Sequence, residues 1–278
     1  MNSLEFSLVI GLIGGLAGFV GALTGLGGGV VITPVLTLVF HIDIRYAIGA
    51  TLVSVIATSS GAASAFLKEG FSNVRIGMFL EIATTMGAVA GAALATRVPT
   101  SALGVALGLV LLYSAFLSTR PKPELPAGTR ADPLAERLRL DSTYPTPCGR
   151  QPYRVQHVKT GFGMMVGAGA VSGLLGIGSG ALKVLAMDHA MRIPFKVSTS
   201  TSNFMIGVTA AASAGIYLSR GYIDPPLVMP VVLGVSAGSL LGARHLSGAE
   251  TNVLRLIFAA VISVLALEMI YNGLKGQI

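Results

Sequence analysis

The sequence predicts an all-α polytopic membrane protein built from two homologous halves, on three observations. The chain is 53% hydrophobic, and only 31 of its 278 residues are charged, 19 basic and 12 acidic. At 11% charged, against roughly 25% in a soluble domain, it has too few charges to clothe a water-exposed surface. Mean hydropathy is +0.76, and the apolar residues fall into runs near the ~20 residues that cross a bilayer as a helix. Six glycines also recur at one offset, 151 residues: Gly25/Gly176, Gly27/Gly178, Gly29/Gly180, Gly70/Gly221, Gly87/Gly238 and Gly91/Gly242. Length and spacing allow about eight to ten membrane helices.

Taken in order, the run from Leu4 to Phe40 is too long for one helix and is interrupted by Gly25-Leu26-Gly27-Gly28-Gly29. It reads as a span over 4–23, a break, and a short helix over 30–40. Acidic Glu5 precedes the apolar run and no small-residue cleavage site follows a basic segment, so a removable signal peptide is not expected. Spans follow at 46–67, 76–96 and 101–118, separated by His41–Arg45, Lys68–Arg75 and Arg97–Thr100. The first repeat is thus 1–118. Residues 119–159 hold seven of the thirteen prolines, eight basic and four acidic residues, and no apolar period. They read as a basic, solvated cytoplasmic linker, with a short helix at Pro133–Leu140 begun by Asp132-Pro133. The second repeat, 160–278, carries apolar runs at 160–174, 180–191, 197–218, 226–243 and 253–273.

Two arrangements of the halves follow from parity. If each glycine-broken run crosses twice, each half has five crossings and the halves are inverted; if once, four crossings and parallel halves. With the linker cytoplasmic, the inverted arrangement places Lys68, Arg75, Arg192, Lys196, Arg244 and Arg255 inside and Arg45, Arg97, Arg220 and Lys275 outside. Six against four favours inversion, with short or re-entrant helices after the breaks.

The breaks are also the first candidate site. Backbone freed inside a membrane must be met by protein or water, and a helix restarting there aims N–H groups and a positive dipole end at the gap, which suits an anion. Interrupted helices at matching places in two halves mark transport sites; close packing on small residues is the plainer reading. The candidates are Gly25, Gly27, Gly28 and Gly29, with Gly176, Gly178, Ser179 and Gly180. A second cluster, Ser198-Thr199-Ser200-Thr201-Ser202-Asn203, opens the helix after Pro194 and is matched by Gly49–Ser54 with Thr51. About half of these hydroxyls should serve as helix glue; Thr201, Ser202 and Asn203 are the candidates for an oxyanion. Lys183 lies three residues past the second break and would add positive charge, unless it snorkels. Glu81 and Glu268 read as interfacial, or as carriers of a coupling proton. Asp188 and His189 read as a gate or an interfacial pair.

Other functions are excluded or demoted. One cysteine, Cys148, and four scattered histidines offer no disulfide framework or metal-ligand spacing. Neither Ser–His–Asp nor paired carboxylates suggest an enzyme, no cofactor is called for, and the glycines lack the strand–helix context of a nucleotide loop. The formal charge of +7 is supplied mostly by the linker, so nucleic acid is not an expected partner. A small anion and lipid are; a homo-oligomer stays open. A membrane-embedded enzyme or a non-transporting subunit are the alternatives of other classes.

The motifs TGLGGGVVITPVL (24–36), GLLGIGSGALKV (173–184), VSTSTSNFMIGVTAAAS (197–213) and GYIDPPLVMPVVLGVSAGSLLGARH (221–245) resemble the TauE/SafE family of sulfite and organosulfonate exporters. The resemblance covers nearly the whole chain outside the linker. It implies a multi-pass permease of the cytoplasmic membrane moving small sulfur-containing anions by secondary transport, with the family's glycine signature on Gly25, Gly27, Gly28, Gly29, Gly176, Gly178 and Gly180. Its Thr-Ser-Asn stretch falls on Thr201, Ser202 and Asn203. Ser179 stands where the family commonly has glycine, and Leu185 where a proline often follows Lys-Val.

Overall fold

The computed structural model describes residues 3–24, 29–68, 72–119, 132–146, 149–245 and 251–278. The first half forms α1 (Ser3–Thr24), α2 (Gly29–Leu38), α3 (Ile44–Lys68), α4 (Val74–Ala95) and α5 (Thr100–Thr119). The second forms α7 (Val158–Leu175), α8 (Gly180–Leu185) with a π-helical turn (Ala186–Ala190), α9 (Phe195–Ser219), α10 (Pro225–His245) and α11 (Thr251–Leu274). Between them lie α6 (Pro133–Arg137) and an antiparallel hairpin, β1 (Ser142–Thr146) and β2 (Gly149–Tyr153). Hydropathy alone placed these helices within a few residues, because in lipid the backbone must satisfy itself within each segment.

Helix pairing repeats between the halves. α1 packs on α10 and α4 on α7; α3 meets α10 and α4 meets α9; α3 packs on α9 and α5 on α11. Glycines set the closest of these contacts. A methyl group on Gly87 or Gly91 would collide with the carbonyl of Val166 or Ala170, and one on Gly169 or Gly173 with that of Thr84 or Ala88. In the other pair, Gly18 meets the Val235 carbonyl, and Gly234 and Gly238 meet those of Gly11 and Gly15. Shifting by 151 carries Gly18–Val235 onto Gly169–Thr84, and Gly87–Val166 onto Gly238–Gly15. The 151-residue correspondence therefore extends from the glycines to the carbonyls they touch.

The same contacts give helix directions. Along α1 and α10, and along α4 and α7, contacting residues advance together, so each pair runs parallel. Gly49 of α3 touches Tyr222 beyond the end of α9, while Ser59 touches Gly207, so α3 and α9 are antiparallel. Gly108 meets Ala266 and Ile270 whereas Gly273 meets Ser101 and Val105, so α5 and α11 are antiparallel too.

The outward faces are apolar in stripes: Leu8, Leu12 and Leu16 on α1, Met78, Ile82 and Met86 on α4, and Val261, Val264, Leu267, Tyr271 and Leu274 on α11 are all exposed. Soluble monomers rarely expose apolar surface on this scale, and lipid is its natural covering. Among the described residues, α4 and α7 are long and apolar enough to cross a membrane.

The linker differs from the expected solvated strand of chain. Asp132 caps α6, its Oδ1 accepting from the Leu134 amide at 2.9 Å, and its Oδ2 accepts from the Val158 amide at 2.9 Å, which ties α6 to the first turn of α7. Ala135, Leu140, Tyr153 and Val155 are buried with Ile76, Leu80, Met187 and Met191. The four buried linker residues are too dispersed in sequence to show an apolar period, and a hairpin gathers them.

Two outcomes are expected. Gly169→Ala should cost about 1–3 kcal/mol through overpacking against backbone, read as a lower melting temperature in detergent. Gly167→Ala, with open space on the same helix, should leave it unchanged. The Val158 amide, ahead of Leu134, holds the Asp132 carboxyl below the usual aspartate range. Its contribution is complete above the ordinary aspartate pKa and lost as pH falls through the depressed one. Asp132→Asn should then speed hydrogen exchange at the Leu134 and Val158 amides at neutral pH, with the wild type approaching that state only in acid.

Candidate functional site

α7 ends where Gly176 turns left-handed at φ +70°, its N–H donating to the Ser172 carbonyl at 2.8 Å. Gly178 (φ +70°) and Ser179 (φ +43°) continue in that region before α8 restarts at Gly180. Only glycine adopts this backbone without cost, so Ser179 is held by its surroundings. Its hydroxyl is buried and has no hydrogen-bond partner. It lines a void of about 10 Å³ with Val30, Val110, Ser114 and Ile177, large enough for about one water.

The first break itself, with Gly25, Gly27 and Gly28, lies outside the described residues. Its far side is visible: a Cβ on Gly29 would crowd Thr51 and Val55 and lie 3.8 Å from the Gly176 carbonyl oxygen. A Cβ on Gly180 would crowd Ile206, with the Ser202 hydroxyl 3.8 Å away. Both short helices thus start beside the middle of the α3/α9 pair, close to each other.

The hydroxyl cluster of α9 divides by role. Ser198 donates to the Ile193 carbonyl (3.3 Å), Ser200 bonds Ser72 (2.5 Å), and Thr201 accepts from the Asn73 amide (3.1 Å). These fasten α9 to its neighbours. Asn73 is a junction: its Oδ1 caps α4 by accepting from Ile76, and its Nδ2 donates to the Leu140 carbonyl and, at 2.7 Å, to the Tyr153 hydroxyl. Burial pushes that phenol up to about 12, so it stays neutral. Ser202 donates to the Gly180 carbonyl (3.3 Å) and steadies the restart of α8. Thr51, its counterpart at the 151 offset, bonds Thr33 of α2 (2.8 Å) and donates to the Ala47 carbonyl. Thr199 is left with a buried, unpartnered hydroxyl, and Asn203 is 7% exposed.

Lys183 is fully buried. Its ammonium does not snorkel; it donates to the Thr209 hydroxyl at 2.6 Å, and Thr209 donates to Glu81 Oε1 at 2.7 Å. Thr85 also donates to that oxygen (3.2 Å) and Thr84 lies 3.4 Å from Thr209. Glu81 Oε2 is buried with no partner. The interfacial position expected for Glu81 is therefore corrected: it is buried on α4, and a carboxyl there is tolerated because a cation and two hydroxyls face it. Glu268 is exposed on α11, and His189 Nδ1 lies 3.7 Å from the carboxylate of buried Asp188.

The sequence reading passed over Thr209, Thr84 and Thr85. The signal was helical spacing: Thr209 lies two turns beyond Ser202 on the same face, and Thr84 and Thr85 lie one turn beyond Glu81. The cluster also departs from the 151-residue correspondence. Thr209 has Thr58 as its counterpart, but Lys183 and Glu81 fall opposite Ile32 and Val232.

No described group of histidine, cysteine or acidic residues could hold a metal ion, and the site's resources are one buried ammonium, one carboxyl, hydroxyls and an amide. Such an interior suits a small anion or a proton. The sequence matches the family model described as Sulfite exporter TauE/SafE over residues 10–269. It is 28% identical over 277 residues to the probable membrane transporter protein YunE of Bacillus subtilis, covering 96% of this chain and 97% of that protein. It is 24% identical over 288 residues to the probable membrane transporter protein MJ0441 of Methanocaldococcus jannaschii, with 96% and 97% covered. No solved structure gives a significant match. The chain, an all-α membrane protein with a single buried ammonium–hydroxyl–carboxyl chain among its described residues, belongs to the TauE/SafE family of membrane transporters.

Proposed function

We propose that this protein is a multi-pass secondary transporter of the cytoplasmic membrane that exports small sulfur-containing anions such as sulfite, thiosulfate or organosulfonates. The observation that carries the reading is the fully buried ammonium of Lys183, beside a helix break whose Ser179 hydroxyl has no partner. Backbone N–H groups at Gly29 and Gly180, with Ser179, Asn203 and Lys183, would hold one oxyanion. Gly25, Gly27, Gly28 and Gly178 would shape the gap, Gly176 would turn the chain into it, and Thr51, Thr201 and Ser202 would hold its walls. No step of this reading calls for a cofactor or for covalent chemistry.

Inverted halves fit the helix directions. In inverted repeats equivalent helices run oppositely, as α3 and α9 do, and α5 and α11. Since α1 runs with α10 and α7 with α4, α2 and α8 must return part of the way. At ten residues, α2 is about 15 Å long, half of a ~30 Å hydrocarbon core, as a re-entrant helix would be. Alternating access is then the rocking of one helix group against its counterpart. Export of a dianion draws on the interior-negative potential, about 2.3 kcal/mol per net charge moved per 100 mV. Buried Glu81 favours one second reading, uptake of a related anion coupled to protons.

Purified protein in liposomes should release trapped sulfite, thiosulfate or an alkanesulfonate, and at alkaline pH the dianions sulfite and thiosulfate should leave faster when the potential is negative on the side holding them. No flux of any of the three, at any potential, would count against transport. Lys183→Ala and Asn203→Ala should each slow flux at least tenfold, about 1.4 kcal/mol of lost anion stabilisation, while Lys275→Ala should not. Undiminished flux in both site variants would remove this assignment of the site.

A further inference from the structure

Glu81 is a buried ionisable group that anion binding does not use, and its surroundings are specific. It lies on α4 with one oxygen engaged by Thr209 and Thr85 and the other buried without a partner. The hydroxyl of Thr209 accepts from Lys183 and has one proton, which Glu81 at 2.7 Å draws more strongly than the Met205 carbonyl at 3.0 Å because a carboxylate is the charged and nearer acceptor, so it couples the two charges across α8, α9 and α4. Glu81 and Thr209 each lie eight residues, about 12 Å, along their helices from the Asn73–Thr201 hydrogen bond, at residues 73 and 201.

Few charged groups lie on the described elements around Glu81. α7 carries no titratable side chain after Lys159, and α9 none between Lys196 and Tyr217. α8 and the π turn contribute Lys183, Asp188 and His189; Lys183 is linked to Glu81 through the Thr209 hydroxyl, and Asp188 lies beside His189. On α4 itself the other charged group is Arg75, which is exposed. The carboxylate of Glu81, reached through Thr209, therefore serves as counter-ion to Lys183 in the absence of an anion.

We propose that Glu81 is the proton carrier of this transporter, and that it competes with the transported anion for Lys183 through Thr209, so that each anion crosses with one proton. This rests on the anion-transport reading. When an oxyanion pairs with the Lys183 ammonium, Glu81 loses its counter-ion in the interior. An unpaired carboxylate there is costly, so it takes one proton from water on the side from which the anion came. After the site opens to the other side the anion and the proton leave, and the carboxylate returns to the Thr209–Lys183 chain. Lys183 stays an ammonium throughout, and no bond other than O–H is made or broken. Since Lys183 and Glu81 have no counterparts in the repeat, the chain carries one such pair among its described residues and the stoichiometry is one to one. The net charge moved falls by one, so a monoanion crosses without current and a dianion still exploits the potential.

The test uses methanesulfonate, which stays ionised and carries no proton of its own, with the intact protein in liposomes that enclose a pH dye and have the potential clamped at zero. With the interior one pH unit more alkaline, the wild type should accumulate methanesulfonate about tenfold, since one pH unit is 1.36 kcal/mol, and the interior should acidify as it enters. Glu81→Gln should lose both the accumulation and the acidification yet keep a flux that responds to potential. Glu268→Gln, exposed on α11, should retain both. Thr209→Val should weaken the accumulation ratio. A wild type that moves methanesulfonate at zero potential but ignores the pH difference overturns the inference, as does Glu81→Gln with undiminished accumulation; neither result touches the transport reading. Absence of methanesulfonate, sulfite and thiosulfate flux from the wild type under every condition removes the transport reading, and this inference with it.

Discussion

Backbone-to-backbone contact at two helix pairs, α1 with α10 and α4 with α7, sets the rest of the architecture. Lipid gives packed helices no hydrophobic reward for leaving it, so association relies on close van der Waals contact and weak Cα–H···O contacts, which only small residues permit. Gly87, Gly91, Gly169 and Gly173 on one side, and Gly18, Gly234 and Gly238 on the other, let helices approach until carbonyls touch α-carbons. Each pair joins the first helix of one half to the fourth helix of the other. The halves are therefore interlocked rather than set side by side, and α3 and α9 are enclosed at the centre with both short helices against them.

That interlocking explains where polarity survives. The interior that α3 and α9 enclose is shared by both halves, so a charge on one can be met by a partner on the other. Glu81 comes from the first half, Lys183 and Thr209 from the second. Neither charge would be tolerable alone at that depth. The hydroxyls of α9 sort along the helix: those toward the linker hold the helix in place, and those farther along reach the break and the buried charges. Most buried polar groups find partners; of the six orphaned side-chain atoms among the described residues, Ser179 belongs to the break and Glu81 to the charge pair.

Asn73 links the linker to the polar end of α9. Asn73 receives the first turn of α4, reaches the Leu140 carbonyl and the Tyr153 hydroxyl of the linker, and donates its own amide to Thr201 of α9. A shift of the linker fold would be felt at the polar end of α9 through these bonds. The neutral Tyr153 phenol, buried at 2% exposure, makes that end insensitive to pH in the ordinary range.

The amino-acid sequence by itself determined the solvent, the helices and the breaks. Few charges and ~20-residue apolar runs leave helices as the backbone's solution in lipid, and glycines recurring at offset 151 marked positions whose contacts correspond in the two halves. It also singled out Lys183, since an ammonium in an apolar run is costly wherever it points. Tertiary structure decided what that ammonium faces. Thr209 and Glu81 are 26 and 102 residues from Lys183 in the chain, at no spacing a helix or repeat would flag, and only the packing of α4, α8 and α9 brings them together. The linker's small fold was hidden for the same reason: Leu140, Tyr153 and Asn73 form one knot by contacts across 67 and 80 residues. Local patterns are written by the solvent each segment meets, whereas partners are chosen by which backbones can approach closely enough to touch.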